Sequence, residues 1–139
     1  MTMRRRRFVQ LAATGLVGAC ASMLVTPVTP EGSRVFLQLR NYPELDKPGG
    51  ALRIRPVGSD QTFYVLALDD GEFAAVSPIC KHQGCTVDIA PSRLECPCHG
   101  SMYTREGTVL RGPTEAPLDR FLVELSTDGV LMIDLGAQV

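Results

Sequence analysis

Two short stretches hold nearly all the soft metal ligands of this chain. The first reads Cys80-Lys81-His82-Gln83-Gly84-Cys85. The second, after ten intervening residues, reads Cys96-Pro97-Cys98-His99-Gly100-Ser101-Met102-Tyr103. Both histidines and four of the five cysteines of the 139-residue chain lie here. Thiolate and imidazole suit transition metals, so this concentration points to a metal centre. Each stretch offers one Cys–His pair, Cys80 with His82 and Cys96 with His99, and each leaves one cysteine over, Cys85 and Cys98. Two chemistries use two thiolates and two imidazoles. A structural zinc site gathers all four on one tetrahedral ion. An iron–sulfur cluster normally takes four thiolates, but two imidazoles can replace two of them on one iron. Neither stretch carries the usual zinc pairing of C-x₂₋₄-C with H-x₃₋₅-H, and zinc would leave Cys85, Cys98, Ser101 and Tyr103 without a role.

The order C-x-H-x-x-C followed by C-P-C-H-G-S-x-Y resembles the signature of the Rieske iron–sulfur proteins. The resemblance implies one [2Fe–2S] cluster, with Cys80 and Cys96 on one iron and His82 and His99 on the outer one. It implies a disulfide between Cys85 and Cys98 that ties the two stretches together. It also implies that Ser101 donates its hydroxyl to a bridging sulfide, and Tyr103 its hydroxyl to a ligand cysteine sulfur. Replacing two thiolates by imidazoles raises the formal charge of the oxidised centre from about −2 to about 0. Such a centre accepts an electron more readily, at roughly −150 to +300 mV against about −400 mV in plant-type ferredoxins. Imidazole N–H groups on an oxidised iron also become more acidic, so an electron and a proton can move together, as quinol oxidation requires.

The elements that must position these residues read as β-strands. Val35, Leu37 and Leu39 alternate with Phe36, Gln38 and Arg40, and Leu52 and Ile54 with Arg53 and Arg55. A β-branched and aromatic run at 62–68 meets a second run at 72–76 across Asp69-Asp70-Gly71, a hairpin signal. Tyr103 to Val109 reads as another hairpin. Phe121, Val123 and Leu125 share a face, and Asp128-Gly129 turns the chain into the run 130–135. No stretch beyond the N-terminal segment sustains a 3.6-residue period. The expectation is an all-β domain over 34–139: an antiparallel base from about 34–76 and 118–139, with a cluster-binding subdomain inserted at about 77–117. Gly112-Pro113-Thr114-Glu115-Ala116-Pro117-Leu118 resembles the family's proline loop, which covers the open side of the cluster.

The length suits one compact domain, and 45% apolar residues suffice for a packed core. The net charge of −1 conceals an asymmetry. Arg4 to Arg7 supply four of the fourteen basic residues, and without them ten basic residues face fifteen acidic ones, a balance of −5. No basic patch argues for nucleic acid. Residues 1–30 read as an export signal or membrane anchor. Arg5-Arg6-Arg7-Phe8-Val9-Gln10 resembles a twin-arginine motif, with a plain Sec signal as the alternative. The uncharged stretch Phe8–Val25 would span roughly 27 Å as a helix, barely a hydrocarbon core. Val17-Gly18-Ala19-Cys20 resembles a lipoprotein cleavage box with Cys20 as the lipidated residue. A lipid anchor, a retained helix and full cleavage all place the domain outside the cytoplasm, where a disulfide persists. Residues 26–32, with Pro27 and Pro30, read as an extended tether.

Three functions meet this pattern. One is a membrane-tethered protein that transfers one electron through its cluster to a redox protein partner. A second is the iron–sulfur subunit of a cytochrome bc-type quinol-oxidising complex. A third is the small subunit of another exported oxidoreductase, such as an arsenite oxidase. Quinol-docking Rieske proteins usually carry an apolar residue where this chain has Gln83, and a polar tip suits a protein partner better than a quinone ring. A Rieske oxygenase is excluded by its need for a second iron on two further histidines, because both histidines here are already assigned.

Overall fold

The computed structural model describes residues 23–139. The arginine cluster, the twin-arginine-like motif and Cys20 therefore lie outside the described residues. Eleven strands follow in order: β1 Val25–Val28, β2 Arg34–Gln38, β3 Ala51–Pro56, β4 Phe63–Ala67, β5 Phe73–Val76, β6 Asp88–Ile89, β7 Leu94–Glu95, β8 Met102–Tyr103, β9 Val109–Arg111, β10 Arg120–Leu125 and β11 Val130–Gln138. Two 3₁₀ turns, Leu39–Asn41 and Pro43–Leu45, lie between β2 and β3. Among the described residues no helix is long and apolar enough to cross a membrane.

The strands form two sheets. Seven make the base, in the order β1-β3-β4-β5-β10-β11-β2. Laid flat, seven strands would hold their edges roughly 29 Å apart. Yet the edge strands β1 and β2 are joined by residues 29–33 alone, a reach of about 20 Å at most. The sheet must curl, and it is nearly closed. Its inside is one apolar core that includes Val35, Leu37, Leu52, Ile54, Val65, Leu131 and Ile133. The other four strands form a small antiparallel sheet, β6-β7-β8-β9, inserted between β5 and β10.

One strand joins the two. All five residues of β4 are buried. Successive side chains of a strand point to opposite faces. Phe63, Val65 and Ala67 accordingly enter the base core, while Tyr64 and Leu66 enter a second core with Val76, Val87, Leu94, Tyr103, Leu118, Cys80 and Cys96. The outer face of the base is thus the floor on which the small sheet and both candidate ligand cysteines sit. Tyr64 fastens this floor by donating its hydroxyl to the Val87 carbonyl at 2.7 Å.

The hairpins expected at Asp69–Gly71, at Tyr103–Val109 and at Asp128–Gly129 are all present, joining β4 to β5, β8 to β9 and β10 to β11. Two readings need correction. Residues 26–32 are not simply a tether: Val25–Val28 is a strand, parallel to β3, and Val28 is buried. The folded unit starts near residue 25 rather than 34, and the base is not wholly antiparallel. Phe121, Val123 and Leu125 do share the core side of β10, with Val123 opposite Ile133 and Leu125 opposite Leu131, although Leu125 is 49% exposed.

Candidate metal centre

The two ligand-bearing stretches are loops of the small sheet. Residues 80–85 lead into β6, and 96–101 connect β7 to β8. They are built alike. In the first, the Cys80 N–H donates to the Cys85 carbonyl at 2.8 Å, and the Gly84 N–H returns to the Cys80 carbonyl at 2.9 Å. In the second, Cys96 N–H meets the Ser101 carbonyl at 2.8 Å and Gly100 N–H the Cys96 carbonyl at 3.0 Å. The same fold-back requires a left-handed residue at the fifth position of each loop. Gly84 has φ 78° and Gly100 φ 79°, where a side chain would be strained. Glycine at those positions is therefore part of what shapes the site.

These loops bring the expected residues together. Cys80 and Cys96 are the free cysteines among the described residues, and both are buried, at 1% and 3% exposure. The rings of His82 and His99 meet edge to face with centroids 4.8 Å apart. His99 is exposed and His82 half-buried. Cys85 and Cys98 form a disulfide, which locks the end of one loop to the middle of the other. The sulfurs of Cys85, Cys96 and Cys98 lie within 4.8 Å of one another, but two of them are bonded together, so this trio cannot hold a metal.

The hydroxyl groups surround the thiols. Tyr103 is fully buried, and its hydroxyl lies 3.2 Å from Cys80 Sγ. The same oxygen accepts the Lys81 N–H at 3.3 Å. Burial works against the Cys80 thiolate. The Tyr103 hydroxyl, the His82 backbone N–H and the Cys96 and Ser101 side chains outweigh it and hold the thiol below its ordinary value. Burial pushes the Tyr103 phenol up, and its bond to Cys80 adds to the rise. Ser101 is also fully buried, and its Oγ accepts the Thr114 N–H at 3.1 Å. Thr114 belongs to the loop after β9, in which the Gly112–Pro113 peptide is cis. Outside the loops, Lys81 Nζ reaches Asp119 at 2.6 Å, tying the first loop to the base.

This donor set fits a [2Fe–2S] cluster. Nδ1 of His82 is buried without a hydrogen-bond partner, as suits a nitrogen whose lone pair serves a metal. Two buried thiols stand beside it, and Cys80 is held toward the thiolate form. Sequence reasoning had missed three contributors: Thr114, Lys81 with Asp119, and Arg105. Arg105 is buried and donates to the carbonyls of Ala90, Pro91, Gly49 and Gly50 at 2.6–3.4 Å, stitching the small sheet to the base. An arginine in a hairpin turn gives no such signal, because its partners lie 14 to 56 residues away.

Disulfide-tied loops that present two thiols and two imidazoles on an all-β frame define an electron-transfer iron–sulfur protein. The chain belongs to the Rieske [2Fe-2S] domain family, whose model matches residues 39–122. Its cofactor is one [2Fe–2S] cluster, and its activity is one-electron transfer. It is 31% identical over 139 aligned residues to the cytochrome b6-f complex iron-sulfur subunit of Chlorobaculum tepidum, covering 94% of this chain and 75% of that protein. It is 31% identical over 151 aligned residues to the menaquinol:cytochrome c reductase iron-sulfur subunit of Bacillus subtilis, covering 93% and 90%. Among solved structures it resembles the plasma membrane Rieske protein PetC3 of the cyanobacterium Synechocystis, with a TM-score of 0.52, 29% identity, and coverage of 60% and 85%.

Proposed function

We propose that Cys80, Cys96, His82 and His99 are the cluster ligands, that Ser101 and Tyr103 tune it, and that the chain is the iron–sulfur subunit of a quinol-oxidising complex of the cytochrome bc or b6-f kind. When bound, the cluster takes up one electron and passes it on. Cys80 and Cys96 hold it to the buried floor, and the exposed edge of His99 faces the partner. The Tyr103 hydroxyl, aimed at a ligand sulfur, stabilises added negative charge. The contact of the two imidazoles over a disulfide-tied pair of loops carries this reading. Likeness to subunits of two such complexes, each along more than nine-tenths of this chain, supports the choice of assembly. The division into an N-terminal export or anchor segment, a base and an inserted subdomain at about 77–117 belongs to the same proposal. So does a location on the outer face of the cytoplasmic membrane, which the Cys85–Cys98 disulfide favours.

A tethered carrier with a soluble partner is the second reading, favoured by the exposed, polar Gln83 beside His82. Flash or stopped-flow reduction by quinol in native membranes separates the two. The subunit reading predicts that the cluster is reduced only when a cytochrome b subunit is present, and that reduction stops with a quinol-site inhibitor. Equal reduction in membranes lacking cytochrome b would support the carrier.

A further inference from the structure

We propose that Thr114 is a positioning residue for the redox centre: it fixes the direction of the Ser101 hydroxyl group, and so helps set the potential at which the site takes its electron. The inference rests on the cluster assignment proposed above.

Residues 112–117 form a loop in which every residue but Thr114 is exposed, while Thr114 is 4% exposed. Packing alone would be served by valine, which has the same shape and no polar atom to desolvate. A hydroxyl buried there must be doing something with its bonds. Its backbone N–H donates to Ser101 Oγ at 3.1 Å. A serine oxygen that accepts an N–H keeps its single proton free, and that proton must point away from the donor. The Thr114 Oγ1 bonds the Ala116 carbonyl at 3.2 Å, which folds the loop on itself and holds the N–H in place. Beside it, the Tyr103 phenol oxygen accepts the Lys81 N–H at 3.3 Å and lies 3.2 Å from Cys80 Sγ. One buried threonine thus holds the Ser101 hydroxyl from a loop that is otherwise exposed.

The test compares Thr114→Val, which keeps the shape and loses the hydroxyl, with Thr114→Ser, which keeps the hydroxyl. Both are made in the full, cluster-loaded chain, and the midpoint potential is read by voltammetry at fixed pH. The Val variant should shift downward and the Ser variant should match the parent. In a Ser101→Ala, Tyr103→Phe background, Thr114→Val should produce no further shift, because the hydroxyl it positions is gone. An unshifted Val variant overturns the inference, as does a shift that persists undiminished in the double background. If the Val variant loses its cluster, Thr114→Ala is measured in its place. Loss in both also overturns the inference, because the residue would then serve assembly. A colourless parent would overturn the cluster assignment itself, whereas a coloured parent with an unshifted Val variant overturns the inference alone.

Discussion

In the proposed centre, Tyr103 and Ser101 would act on the sulfur ligands through single hydroxyl groups. Each is fully buried, so no water competes for the bond it makes. A donated proton stabilises the more negative, reduced state of the centre more than the oxidised one, so its removal should lower the potential. Tyr103→Phe and Ser101→Ala are each expected to lower the midpoint potential while the visible iron–sulfur spectrum persists, as read by redox titration. Unchanged potentials in both variants would remove the tuning role. The proposed ligand and hydroxyl set stands out in the sequence because it lies within two loops, each spanning fewer than ten residues. Thr114 and Arg105 were not, since their partners are distant in sequence and only the packed chain joins them.

The loops themselves have little core, and their order comes from covalent and polar ties. The disulfide links Cys85 and Cys98 across a sequence separation of 13. Constraint of the unfolded chain by a link of that length stabilises by about 3 kcal/mol. Cys85→Ser should therefore release the cluster faster under a chelator, followed as loss of visible absorption. Retention equal to the parent would make the disulfide dispensable. Arg105 ties the small sheet to the base with bonds from a charged donor, and replacing it removes them all while leaving carbonyls in a buried place. Arg105→Met, which keeps the apolar stem, should cost about 2–4 kcal/mol in denaturant unfolding. A change within error would assign the sheet-to-base contact to the apolar floor alone. Strands with a buried and an exposed face were readable from alternation, as with Val35 and Leu37 or Leu52 and Ile54. Strand β1 was not, because it is a short edge strand containing Pro27. Proline is tolerated at a sheet edge, where one row of N–H groups needs no partner, so its presence argued for a tether when it marks an edge.

For the molecule as a whole, β4 has a core on each face, so the candidate redox site is mounted on an interior strand of the base. At one edge of the base, β11 pairs with β2. Asp134 accepts the Ser33 hydroxyl at 2.7 Å and the Gly136 N–H at 3.0 Å, and pairs with Arg34 at 3.2 Å. The Ser33 hydroxyl, then the Gly136 N–H and Arg34, hold its carboxyl below the ordinary carboxylate value. A carboxyl lowered on folding stabilises above its unfolded pKa and loses that contribution as pH falls through the folded one. The site is solvent-facing, so the effect is small. Asp134→Asn should flatten part of the acid limb of the stability curve, below about pH 4, and leave stability near neutrality only slightly lower. An acid limb identical to the parent's would exclude the group.

The whole account depends on two imidazoles and two thiolates sharing a pair of irons unequally. Pulsed electron paramagnetic resonance of the reduced, full-length protein reads this directly through the nitrogen couplings of the paramagnetic centre. The expected result is two imidazole nitrogens on the reduced iron, with one lost when His99 is replaced by cysteine. A reduced protein with no such signal, holding zinc instead of iron and labile sulfide, or a spectrum with sulfur ligands alone, would contradict it.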